Sequence, residues 1–141
     1  MDDPYNLQRF IEAQSQIIDQ VYEELRAGRK RSHWMWFVFP QIQGLGRSFM
    51  AQFAAISSRE EAVAFLKHPV LGPRLRECTV LVNQVENRSA QEIFGSPDNL
   101  KFQASMTLFA QVTADNAIFV EALRKYCGGE FDSQTMELLG R

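Results

Sequence analysis

The stretch RKRSHWMWFVFPQ, Arg29 to Gln41, decides the fold class. It sets three cations, a serine and a histidine ahead of an apolar run, Trp34 to Phe39, that carries four aromatic rings. That composition suits a strand, but a strand needs a partner. No other segment alternates apolar and polar residues with a period of two. Ser32 as N-cap and Pro40 as a stop make one or two helical turns the more economical reading. A turn that is apolar all round must be enclosed by other helices. Trp34, Phe37 and Val38 are therefore expected in the core, with the basic residues at the surface.

Outward from this stretch the periodicity is helical. Leu7, Phe10, Ile11, Ile17, Ile18, Val21 and Leu25 recur at three- and four-residue steps, with Pro4 suited to the first turn and Gly28 just past the end. Ser58-Arg59-Glu60-Glu61 reads as a capping box opening a short helix to Lys67. Leu71, Leu75, Cys78, Val82 and Val85 form the next seam, and Pro73 fits only in its first turn. Ser89 to Glu92 repeats the capping-box pattern, and Gly95 stops that helix. Ser96-Pro97 reads as an N-cap plus a first-turn proline, launching a helix to about Val112 with Phe102, Met106, Phe109 and Val112 inward. Asp115 is expected to cap a helix ended by Gly128-Gly129, and Asp132 a last one through Leu139. The expected architecture is all-α: residues 1–141 in a single compact domain of about six to eight short and medium helices with short loops.

At 141 residues the chain is long enough to enclose a core without disulfides or metal. A formal net charge of −2 argues against nucleic acid as the main partner, since phosphate binding needs a cationic surplus. The cluster Arg26, Arg29, Lys30 and Arg31 reads most simply as a solvated helix end. The apolar run of six residues is far short of the ~20 needed to span a membrane. The acidic opening MDDPYNLQRF has neither the basic nor the apolar region of a signal peptide. These features point to the cytoplasm, where Cys78 and Cys127 would stay reduced. The two cysteines and two histidines lack metal-ligand spacing, Gly44-Leu45-Gly46 lacks the rest of a dinucleotide fingerprint, and no cofactor is implied.

The strings GRKRSHWMWFVFPQIQGLGRS (28–48), HPVLGPRLREC (68–78), IFGSPDNLK (93–101) and SMTLF (105–109) resemble the bacterial family known as domain of unknown function 1810. The resemblance runs from LQRFIEAQ to GGEFDSQTMELL, nearly the whole chain. It implies a small all-α domain and carries no established activity. Some members bear the label calpastatin, which would imply protease inhibition, but calpastatin-type inhibitors are disordered repeats and this chain has a core-forming pattern. One departure stands after Lys101, where Phe102-Gln103-Ala104-Ser105 replaces the basic and small polar residues usual in the family.

Two places carry residues suited to a site. One is Lys30, Arg31, Ser32, His33, Trp34 and Trp36, with Gln41 beyond. The other is Asp98, Lys101 and Ser105, which share a helix face at steps of three and four behind a glycine and a helix start. If they meet, they would form a pocket for a small anionic or nucleotide-like ligand, the tryptophans stacking a base and the cations meeting phosphate. The stretch AFLKHPVLGPRL (64–75) is similar to α-helical N-glycosidases linked to NAD-type metabolism. By that likeness His33 or Asp98 would move a proton in hydrolysis. The alternative is a non-catalytic interaction module that uses residues 29–41, a mixture of aromatics and arginines common in interface hot spots. His68, ahead of Pro69, reads as structural.

Overall fold

Ten helices and no strand fold residues 3–140, the part of the chain described by the computed structural model. Met1, Asp2 and Arg141, at the ends of the expected 1–141 domain, lie outside the described residues. The helices are α1 (Gln8–Ser15), α2 (Ile18–Arg26), α3 (Met35–Val38), α4 (Phe49–Phe53), α5 (Arg59–Lys67), α6 (Leu71–Gln84), α7 (Ala90–Phe94), α8 (Asp98–Ala110), α9 (Ala117–Tyr126) and α10 (Ser133–Leu139). The chain is all-α, as its periodicity predicts, with more helices than six to eight for two reasons.

The first stripe is divided between α1 and α2 at Gln16-Ile17. Its halves serve different neighbours: α1 packs on α3, whereas α2 packs on α6. Gln14, buried at the end of α1, donates to the Phe37 carbonyl at 2.6 Å and holds the first half in place. The second addition is α4, which buries none of its residues and so leaves no apolar stripe in the sequence. Ser48 caps it, and Phe49 and Phe53 stack on one another at the surface.

Helix α8 is the axis of the domain. After its first turn it is buried at Phe102 and at every residue from Ala104 to Ala110, with α5, α7, α9 and α10 against it. Two chains of aromatic rings meet this helix. Trp34, Phe39, Phe94, Phe102 and Tyr126 form one, with successive ring centres 4.7–6.3 Å apart. Phe10, Phe65, Phe109 and Phe119 form the other, at 5.1–6.0 Å. Such pairs add about 0.5–1.5 kcal/mol each to the burial of the rings. In the opening stretch α3 is a single turn, and Trp34 and Val38 are buried as expected. Phe37 is only half-buried, its expected place in the core being taken by Met35 and Phe39.

Several caps differ from the sequence reading. Ser58 accepts from the Glu61 amide, but the Glu61 carboxylate bypasses Ser58 and accepts from the amide and hydroxyl of Ser57. Its other oxygen meets Arg9 at 2.8 Å. Arg9 also donates to the carbonyls of Tyr5, Asn6, Phe53 and Ala55, joining the start of the chain to the end of α4 and the start of α5. Ser96 is not an N-cap: α8 begins at Asp98 with Pro97 in the cap position and no side-chain bond. The helix stops at Ala110, two residues short of Val112. Asp115 does not cap α9, whose cap residue is Asn116. Ser89 makes the full capping box, Asp132 caps α10 through Thr135, and His68 accepts the Val70 and Leu71 amides through Nδ1 at the start of α6.

Helices α5 and α6 approach closely at Gly72. A β-carbon built on Gly72 would sit 2.1 Å from the carbonyl oxygen of Leu66, an atom of the main chain that cannot swing aside. Gly72→Ala should therefore force the two helices apart and lower stability by about 1–3 kcal/mol, read from the midpoint of urea unfolding.

Candidate functional site

The site is assembled at the exit of α2. Gly28 takes a left-handed conformation (φ 71°), its amide bonding the Leu25 carbonyl and the Arg29 amide that of Glu24. This is a Schellman ending, and it turns the chain sharply back along α2. The Glu24 side chain then organises the returning loop. Its Oε1 accepts from the Arg31 amide (2.7 Å), the Ser32 amide (3.1 Å) and the Trp34 indole (2.9 Å). Its Oε2 accepts from the Ser32 hydroxyl (2.7 Å) and the Gln20 amide (3.0 Å). Ser32 therefore serves Glu24 and Gln20 and does not cap α3 as its position predicts; the cap residue is Trp34.

Burial alone would raise the pKa of Glu24, yet the bonds from Arg31, Ser32 and Trp34 outweigh it and hold the carboxyl at about 2. Nothing in the sequence reading singled out Glu24. The available signal is its register: it stands three residues after Val21, on the apolar stripe, seven before a run of donors. A carboxylate at a core-facing position implies a partner that must be found.

Beyond this anchor the Lys30 amide bonds the Ile93 carbonyl at 2.7 Å, bringing the loop to the end of α7 and the start of α8. The two groups of residues expected to meet do so through their charges. Asp98 lies 2.9 Å from the Lys30 ammonium and 3.3 Å from that of Lys101. Lys30 also sits 5.2 Å from the centre of the Trp34 ring, and Lys101 4.9 Å from that of Trp36. Two ammonium groups share one carboxylate, so the cluster keeps one net positive charge. The Lys30 side chain is 7% exposed and that of Lys101 24%, so Lys101 presents the charge to solvent.

Lys101 opens on a groove of about 240 Å³ between the loop after α3 and the helices α8 and α10. Gln41, Leu45, Leu100, Ala104 and Asp132 stand in its walls. Of the other expected residues, Trp34 is fully buried and has no free face, and Trp36 is half-buried with its indole N–H enclosed and unpartnered. Ser105 lies in the core, its hydroxyl also unpartnered, because α8 is covered on this side. His33 and Arg31 are exposed; neither side chain bonds Asp98 or either lysine. The apolar part of segment 29–41 is thus spent on the core. Burial pushes the Cys78 thiol up to about 12 and Cys127 to about 11, so neither is a thiolate near neutrality. Among the described residues no cluster of histidine, cysteine and carboxylate side chains could hold a metal ion, and no helix is long and apolar enough to cross a membrane.

A single-domain bundle of short helices around one buried axial helix, with a groove at its side that Lys101 helps to line, is the class of protein these features define. The chain belongs to the family described as protein of unknown function DUF1810, whose model matches residues 4–139. The structure is similar to the crystal structure of the conserved hypothetical protein Rv1873 from Mycobacterium tuberculosis, with a TM-score of 0.98 and 59% identity over 99% of each chain. Among curated proteins none matches this sequence.

Glu24 gives the site an acid-sensitive anchor. Its carboxyl is held near 2 in the folded chain against an ordinary 4.5, so the native state favours the ionised form. The resulting stability, about 3 kcal/mol, is complete above the ordinary value. It drains away as the pH falls from 4.5 towards about 2, because the unfolded chain takes up the proton first. Urea unfolding across this range should show that loss, and Glu24→Gln should be less stable near neutrality with a flatter acid limb.

Proposed function

We propose that this domain binds a small organic anion in the groove at Lys101. The observation that carries the reading is the shared carboxylate: Asp98 neutralises one of two ammonium groups, and Lys101, the more exposed of the two lysines, lines a groove with Leu45, Leu100 and Ala104. A charge in such surroundings attracts a counter-ion more strongly than one in open water. The Asp132 carboxylate, which also lines the groove, is held at the start of α10, its Oδ2 accepting from the amide and hydroxyl of Thr135. Gln41 adds a side chain that can donate or accept.

Size restricts the ligand. A volume of about 240 Å³ is smaller than the roughly 300–1,000 Å³ of sites that engulf drug-sized molecules. A short carboxylate fits, as does the phosphate of a nucleotide-like molecule whose base stays outside. Base stacking on Trp34 is not part of this reading, because that ring is enclosed, and one face of Trp36 is covered by Lys101. The reading is of binding rather than hydrolysis. Asp98 is engaged by two cations, and the His33 side chain bonds neither of them.

Thermal unfolding with short carboxylates, inorganic phosphate and nucleoside monophosphates tests this. A ligand at a hundredfold excess over its Kd should stabilise the domain by about 2.7 kcal/mol. Tryptophan fluorescence should respond as well, since Lys101 lies on Trp36. Both responses should vanish in Lys101→Met. A flat response across the panel, or an unchanged one in the variant, would overturn the reading.

A further inference from the structure

On the far side of the Glu24 anchor, the outer face of α2 and the loop after Gly28 enclose a trough of about 450 Å³. Asp19 and Glu23, one helical turn apart, line its helix side; Arg29 and Arg31, on the returning loop, line the other. Glu24 also lines it, but its oxygens are saturated by the donors described above. The four remaining charges are exposed, and none makes an ion pair or side-chain hydrogen bond with any described residue. Two free carboxylates and two free guanidinium groups therefore face one another across a trough and leave each other alone.

We infer that this trough is the contact surface for a second copy of the chain. A two-fold interface joins a patch to itself, so the patch must complement its own rotated image. An acidic row beside a basic row does this: turned about a two-fold axis, each copy lays its Arg29 and Arg31 against the partner's Asp19 and the partner's Glu23. The charges match in number, two against two, so pairing leaves no surplus. A partner of a single charge sign would leave one of the rows unpaired in a desolvated setting. Arginine suits the role, since its fork bonds a carboxylate through two parallel hydrogen bonds. The contact uses the exposed residues of the loop whose aromatic neighbours are committed to the core, and it leaves the Lys101 groove free.

Sedimentation measurements on the whole chain decide the matter. At about 0.01 M ionic strength, where screening extends to ~30 Å, the mass should be that of a dimer; at about 1 M, with ~3 Å, that of a monomer. Arg29→Glu with Arg31→Glu should be monomeric at both, as should Asp19→Arg with Glu23→Arg. Mixing the two variants should restore a dimer containing one of each. If charge reversal perturbs the fold, as read by circular dichroism, the milder Arg29→Gln with Arg31→Gln pair should weaken association at least tenfold. A wild-type chain that stays monomeric at low salt overturns the inference. So does a dimer that survives high salt or charge reversal, because its interface would lie elsewhere.

Discussion

The buried carboxylate of Glu24 is the constraint on which the loop from α2 to α3, and the charge cluster it carries, depend. Helix α2 could end at Gly28 with any loop attached. The loop returns along the helix because its amides and hydroxyl, together with the Trp34 indole, converge on two oxygens. Hydrogen bonds to a charged acceptor are individually stronger than neutral ones, and an enclosed carboxylate without them would be costly. Fold and loop therefore stand together. Trp34 reaches its place in the aromatic chain only because its N–H has an acceptor there.

That anchor also sets the charge distribution. The segment that satisfies Glu24 carries Lys30 to Asp98, and Asp98 holds Lys101 by the same interaction. An inner ammonium, a shared carboxylate and an outer ammonium form a relay from core to surface. The inner charge is tolerable because Asp98 and the face of Trp34 surround it. The outer one rests on Trp36 at the edge of the groove. Asp98 and Lys101 stand on α8 itself, and the Lys30 amide is tied to α7 through the Ile93 carbonyl.

Much of the fold was legible because its helices bury one side. The seam of α6, the capping box at Ser89 and the Asp132 cap could all be read from spacing alone. What escaped had specific causes. Helix α4 buries nothing and so carries no periodic signal, while α8 after its first turn is buried at every residue but Gln103 and so has no polar face for Ser105 to occupy. Meeting of the two expected groups of site residues was legible in kind, as a cation near a carboxylate, but not in detail. That Lys30 rather than His33 would reach Asp98 depends on the path the loop takes around Glu24. A path of that sort is set by three-dimensional hydrogen bonding, and spacing in the chain does not record it.

Arg9 shows how unevenly sequence freedom is distributed in such a small domain. Its guanidinium uses all five N–H groups, four on carbonyls from two separate stretches and one on Glu61. A lysine has three donors on a single nitrogen and no fork to spread them, so the exchange usually deemed conservative would strand acceptors in at least one stretch. In a saturation library, position 9 should accept no other amino acid without loss of yield. Exposed positions on the neighbouring α4 should by contrast accept nearly all of them.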